Sequence, residues 1–477
     1  MTAKKNSDSK QKPSSDVNSR RDFIKTGSIA GAAAAVGIGT PSLSLARSAN
    51  VVGRNTIKLG LIGCGGRGTS ASIQAMNTQS SSNVEVHAMA DVFESRGKSS
   101  LEGLKEEKGG QVKVNDDSLF IGLDAYKRVL DSDVDMVILA TPPGFRPLHF
   151  EEAIDAGKHV FMEKPVAVDA PGCRRVLAAG EKATEKKLWV QVGLQRRHEV
   201  IYKDTIKQLQ DGIIGDLISS RVYWNAGGVW NRPRKPEDSE LEYQLRNWYY
   251  FNWICGDHIV EQHIHNIDVM NWVLDDFPVK AQGQGGRLVR TGAKNGEIFD
   301  HHTVEYTYAN GHKMFSFSRH MRGCWTTVKE FVHGSSGWAA ISDGRIYDNN
   351  DKLIYQFEGN RKHNGHQQEH HDLFAAIEAG DYVNETEYGA KSTFTAILGR
   401  LATYSGKEVS FEECLAKSPA LANVDEILNF DAKAPVQPNA DGLYDIVTPG
   451  PDAKKVLGFV PKKPKKPKKP KKPKNAT

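Results

Sequence analysis

The sequence predicts an α/β protein with a doubly wound parallel sheet in its N-terminal half, and three observations predict it. Short apolar runs at 57–62, 84–90, 134–140 and 159–162 alternate with stretches of helical pattern, the arrangement of βαβ units. The first run ends in a glycine-rich turn that can start a helix. Further on, period-two alternation, as in Met314-Phe315-Ser316-Phe317-Ser318 and Val328–Val332, marks antiparallel strands of a second sheet. A length of 477 residues allows two or three domains with full cores and, at 39% hydrophobic, excludes a disordered chain. The five cysteines (Cys64, Cys173, Cys255, Cys324, Cys414) are odd in number and form no Cys-x-x-Cys pair, so neither a disulfide framework nor a cysteine-based zinc site is expected.

Residues 1–46 read as a targeting segment. A polar, basic run leads into Ser19-Arg20-Arg21-Asp22-Phe23-Ile24-Lys25, the weakly apolar stretch Gly27–Gly39 follows, and Ser44-Leu45-Ala46 is a small-residue pattern that a peptidase can cut. The paired arginines resemble a twin-arginine signal, which sends folded proteins across a membrane. The apolar stretch falls short of the roughly 20 residues a spanning helix needs, although an uncleaved tether is the rival reading. Export to the periplasm or cell envelope is therefore expected, with no membrane span in the mature chain.

Charge is divided unevenly. The net +5 is the sum of +4 in residues 1–46, +9 in the Lys-Lys-Pro repeat of 462–477, and −8 in 47–461. The acidic body offers no case for nucleic-acid binding. The lysine–proline tail can form only a hydrated, extended strand, either a contact for an anionic surface or a solvated end.

Ile57–Ile62 is read as a strand, Gly63-Cys64-Gly65-Gly66-Arg67-Gly68 as a G-x-G-x-x-G turn, and Ser70–Met76 as part of a helix. In that order Gly63 permits the tight turn, Gly65 lets backbone approach a pyrophosphate, and Gly68 lets helix and strand pack closely. The second strand, Val84–Ala90, ends at Asp91, where a carboxylate accepts from ribose hydroxyls and repels a 2′-phosphate. NAD is therefore expected over NADP, with Arg96 near enough in sequence to soften the choice. The run Val134–Ala140 leads to Thr141-Pro142-Pro143, and His159–Met162 delivers Glu163-Lys164-Pro165.

With Ala156-Gly157-Lys158-His159-Val160 before it and His149 between, this set resembles the glucose-fructose oxidoreductase / inositol dehydrogenase (Gfo/Idh/MocA) family, over about residues 55–435. The resemblance implies a Rossmann domain at 55–187 and an α+β domain at 188–435 with an open mixed, largely antiparallel sheet, often an oligomer interface. An irregular segment, 436–477, closes the chain. It places Lys164 beside nicotinamide and substrate, where an ammonium can hydrogen-bond the reacting oxygen. Expected cofactor contacts are Gly63, Gly65, Gly66, Arg67, Gly68, Asp91, Thr141, Pro142, Glu163, Lys164 and Gln191.

The second signature is Gly256-Asp257-His258-Ile259-Val260-Glu261-Gln262-His263-Ile264-His265-Asn266-Ile267-Asp268. Spacings of four and three would put Glu261, His265 and Asp268 on one helical face. Against the family's Asp-x-Gly-x-His-x-x-Asp, the His and last Asp match, while Glu261 and His263 depart. By resemblance His265 shuttles the proton of the reacting hydroxyl and Glu261 orients it or meets a sugar hydroxyl. A metal site at His258, Glu261, His263 and His265 is the competing reading, and no metal is expected. His366, Glu369, His370, His371 and Asp372 open an amphipathic helix to Ala379 and are read as a solvated face. Leu188–Gly193 reads as a strand before Arg196 and Arg197. His149, Arg197, Asp268 and Trp224 are the expected substrate contacts. The aromatic stretch 223–253, with Trp224, Trp230, Trp248, Tyr249, Tyr250 and Trp253, suits a sugar pocket or core packing equally. Gly389–Tyr404 reads as a helix.

The resulting expectation is an NAD-dependent oxidoreductase acting on a sugar, polyol or related carbohydrate, a homo-oligomer whose cofactor travels within the exported protein. Two alternatives stay open: an NAD-using glycosidase working by transient oxidation and elimination, and a non-catalytic carbohydrate-binding protein of the same fold.

Overall fold

The computed structural model describes residues 51–80 and 82–461; the expected signal segment and the lysine–proline tail lie outside the described residues. Six strands form the first sheet: β1 (Thr56–Ile62), β2 (Asn83–Asp91), β3 (Leu119–Ile121), β4 (Met136–Leu139), β5 (His159–Glu163) and β6 (Val190–Gly193). Their order is β3-β2-β1-β4-β5-β6, and every pairing is parallel. This order reverses direction between β1 and β4, so a crevice opens beyond their carboxyl ends. β4 and β5 are buried at every residue, which is why they read as unbroken apolar runs instead of alternating ones. The stretch read as a strand from Leu188 is β6, the last strand of this sheet.

A nine-stranded sheet follows, with β7 (Leu217–Ala226), β8 (Lys280–Gly286), β9 (His301–Thr307), β10 (Lys313–His320), β11 (Thr327–Gly334), β12 (Gly337–Ala340), β13 (Arg345–Asp348), β14 (Leu353–Gln356) and β15 (Val409–Ser410). Its order is β14-β13-β12-β11-β7-β10-β9-β8-β15. β7 and β10 pair in parallel and the other neighbours are antiparallel, a mixed, largely antiparallel sheet. The expected alternation is explicit in β10, where Met314, Ser316 and Ser318 are buried and Phe315 is exposed.

One helix, Thr386–Ser405, joins the two layers and is buried along most of its length. It packs on the helix Ala170–Glu185 of the first layer and on β8 of the second. Glycine permits the approach: a Cβ on Gly389 would lie 2.8 Å from Val192, and one on Gly399 would lie 2.0 Å from the Tyr306 hydroxyl. All five cysteines are free and four are buried. Among the described residues no helix is long and apolar enough to cross a membrane.

The continuous helix expected around 261–268 is broken. One short helix, His258–Glu261, stops and a second, Ile264–Leu274, begins, with Gln262 and His263 in a turn between them. The single helical face expected for Glu261 and Asp268 is thus interrupted, and Glu261 lines the cavity while Asp268 does not.

Candidate active site

A cavity of about 530 Å³ opens at the crevice. Gly63 after β1 has φ +100°, and a Cβ there would meet the Ala140–Thr141 backbone at 2.6 Å. Gly68 packs the helix Gly66–Met76 onto the turn, since its Cβ would lie 2.0 Å from the Gly63 carbonyl oxygen. Gly65 and Gly66 line the cavity, and a Cβ on either would meet nothing within 4 Å. That free space stands before a helix that starts at Gly66 without a side-chain cap or an acidic residue in its first turn. An uncapped, acid-free helix start of this kind receives phosphate, so the site fits a dinucleotide.

Asp91 ends β2 at the cavity wall and accepts hydrogen bonds from the backbone N–H of Cys64 (2.8 Å) and Phe93 (2.9 Å). Burial pushes its carboxyl above the ordinary value despite these donors. Thr141, Pro142 and Pro143 form the wall after β4. Arg67 Nε lies 2.8 Å from Glu163 Oε1, an ion pair between the glycine turn and the end of β5. The buried Arg146 donates to the carbonyl oxygens of Thr141 and Pro165, and so fixes the loop after β4 to the loop after β5.

At the other end, Lys164 Nζ donates to the Glu261 carbonyl oxygen (2.7 Å) and to Glu261 Oε1 (3.0 Å). His265 lines the cavity beside them. Burial holds its imidazole well below the ordinary value, helped by the charges of Lys164, Arg196 and His366. The ring is therefore neutral at physiological pH and able to accept a proton. His149 hydrogen-bonds Thr141 Oγ1 through Nδ1 at 3.1 Å, and burial lowers it to about 3. The arrangement can orient a hydroxyl and take its proton.

Several expected contacts turn away. Arg197 grips Asp268 with two hydrogen bonds of 2.9 and 2.8 Å, and Ser392 donates to the same carboxylate at 2.6 Å. Neither Arg197 nor Asp268 lines the cavity; the guanidinium lies 4.0 Å over the Tyr388 ring. Gln191 is buried and donates to the Glu369 carbonyl oxygen at 2.5 Å. Trp224 stands behind His265, ring centroids 6.1 Å apart, as a support for the imidazole. Gly68 acts through packing, as its place in the motif requires. Of the four groups weighed as a metal site, Glu261 holds Lys164 and His263 Nε2 is bonded to Ser316 at 2.8 Å, whereas His258 lies with Asp257 and His302 in a separate buried cluster.

The polar start of the helix Gly365–Ala379 is a correction to the expected solvated face. Glu369 and His370 are fully buried, His370 stacking on Phe161 at 4.3 Å, and His366 reaches the cavity with a value lowered by burial to about 4. The signal was legible: residues 366, 369, 370, 373 and 377 recur at helical spacing on the stripe that carries Leu373 and Ile377. Arg146 had no such local signal, because its role depends on two loops meeting.

Residues 57–193 match the family model GFO_IDH_MocA, described as "Oxidoreductase family, NAD-binding Rossmann fold". An inositol 2-dehydrogenase of Salmonella paratyphi B is 29% identical over 222 residues, 46% of this chain and 55% of that protein. The chain thus spans about half the length of the curated relatives it matches. Among solved structures, apo scyllo-inositol dehydrogenase from Lactobacillus casei superposes with a TM-score of 0.57 at 19% identity, covering 75% of this chain and 99% of that one. Aldose-aldose oxidoreductase from Caulobacter crescentus gives 0.58 at 17% identity, over 74% and 99%. At these identities the structures establish the two-sheet fold. The first sheet and its glycine turn correspond to the NAD-binding Rossmann region of the Gfo/Idh/MocA oxidoreductases.

Proposed function

We propose that the protein is an NAD-dependent oxidoreductase that removes hydrogen from a secondary hydroxyl of a polyol or sugar. The observation that carries this reading is the Lys164–Glu261 pair beside a neutral His265 in the cavity that the glycine turn opens. Lys164 Nζ hydrogen-bonds the substrate oxygen, Glu261 fixes Lys164 in place, and His265 receives the hydroxyl proton as the carbonyl forms. When bound, NAD supplies the acceptor for the hydride from the carbinol carbon. Gly65, Gly66 and the uncapped helix start hold the pyrophosphate, and Asp91 favours an unphosphorylated ribose. The inositol 2-dehydrogenase relative supports a polyol or sugar as substrate.

The twin-arginine pattern at 20–25 supports export, and we take the protein to act outside the cytoplasm. No NAD pool exists there, so the cofactor is carried out with the folded chain and regenerated in place by a second carbonyl substrate. The test is to purify the exported chain, release and quantify bound nucleotide, and add inositols, aldoses and glycosides while following reduced nicotinamide and products. Stoichiometric reduction reversed by a second sugar is expected. Aglycone release without net reduction would replace this reading with the glycosidase, and absence of any nucleotide binding would overturn both.

A further inference from the structure

The aromatic stretch 223–253 reaches beyond the catalytic end, where Trp224 backs His265. Trp230, Arg232 and Trp248 line the cavity together with Phe93 and Arg96, which follow Asp91 at the adenosine side. The segment is stiffened at its rim: Arg232 lies over the Trp230 ring at 4.9 Å, and its backbone N–H donates to Asn247 Oδ1 at 2.9 Å.

A second segment from far along the chain covers the same side. Phe430 packs on Phe93 with centroids 5.9 Å apart, and Ile427, Ala434 and Tyr444 share one apolar cluster with Leu245 and Tyr249. This strap is fastened at both ends. Leu421 N–H donates to Asp169 Oδ2 at 2.9 Å, and Asp425 pairs with Arg175 at 2.9 Å, both on the first layer. Beyond Phe430, Gln244 donates to the Val436 carbonyl oxygen at 2.6 Å, and the Tyr444 hydroxyl donates to Glu240 at 2.6 Å. The strap therefore links the Rossmann layer to the aromatic segment across the adenosine side of the cavity. Arg96 and Arg232 both line this side and act on each other as like charges, an arrangement suited to an anionic ligand.

We propose that residues 229–248 and 421–444 form a clasp over the adenosine half of the bound dinucleotide, so that the cofactor stays with the chain through successive turnovers. The proposal rests on the reading of the cavity as a nicotinamide dinucleotide site and adds the means of retention. Release then requires the strap to lift, which breaks the Phe93–Phe430 contact and the hydrogen bonds at 436 and 444 together; a slow off-rate follows from that coupling. Phe430 is a positioning residue, since it reaches the nucleotide only through Phe93.

The test loads the full chain with isotopically labelled NAD, or NADP in a parallel arm, and chases it with excess unlabelled nucleotide. Label is expected to survive gel filtration and to leave at least tenfold more slowly than substrate turns over. Phe430→Ala is expected to release it at least tenfold faster. Arg232→Gln, which leaves the backbone bond to Asn247 and the apolar cluster intact, is expected to do so in a chain of unchanged melting temperature. Wild-type exchange within one turnover, or folded variants that both release at the wild-type rate, would overturn the clasp alone. A chain that binds neither nucleotide would instead overturn the reading of the cavity, and the clasp with it.

Discussion

In the proposed reaction, proton handling rests on very few atoms. Lys164 is held from two directions by one residue, through the Glu261 carboxylate and its carbonyl oxygen. Replacing Lys164 by Ala removes the hydrogen bond to the reacting oxygen without touching the glycine turn. Turnover should fall by about 10²–10⁴-fold while nucleotide content is unchanged, and normal turnover in a loaded Lys164→Ala chain would refute the assignment. On the proposed mechanism His265 sets the pH dependence. Protonation disables it as a base, and burial shifts protonation to lower pH, so the acid limb of kcat/KM should lie well below 6.5, the ordinary imidazole value. A limb at or above that value, measured with fully loaded enzyme, would mean that another group accepts the proton. Asp268 shows where motif reading stops at this scale. Its position was legible, but the paired charge of Arg197 draws its carboxylate away from the cavity.

The strand–turn–helix element separates packing from binding within six residues. Gly68→Ala drives a methyl group into the Gly63 carbonyl oxygen and should cost about 1–3 kcal/mol of stability, as overpacking does. Gly65→Val meets open space, at φ −73° and ψ 175° that any residue adopts. It should leave the melting temperature within the scatter of a surface change, about 0.5 kcal/mol, yet abolish nucleotide binding by filling the phosphate position. Thermal melts and nucleotide titrations of both variants check this, and equal destabilisation by the two would contradict it. The element was legible because glycine spacing, strand and helix all point to one geometry. The 258–274 region was not, since spacing alone extends a helix through Gln262 and His263, whereas the backbone turns there and His263 is drawn to Ser316. Aromatic composition likewise announced a wall at 223–253 without saying which end of the cavity it closes.

Across the molecule, the two sheets differ in how well the chain announces them. Most of the first reads from local apolar runs and short crossovers, the three-residue β3 excepted; β12 to β15 of the second are two to four residues long and, like β3, gain their identity from neighbouring strands. The helix Thr386–Ser405 makes the layers interdependent. Its apolar surface faces the helix Ala170–Glu185 on one side and β8 on the other, so loss of either layer exposes it to water. The described residues fall within one compact unit. Unfolding should therefore be a single cooperative transition, although the proposed nucleotide site lies mainly on the first layer. At a free concentration 100 times its Kd, bound nucleotide adds about 2.7 kcal/mol, and the whole transition should move up by a few degrees. Gly399→Leu, which forces a side chain against the Tyr306 hydroxyl, should weaken this coupling and broaden or split the transition. Calorimetry of loaded and stripped chain decides the matter. Two wild-type transitions, with only the first responding to nucleotide, would show that the helix does not couple the layers.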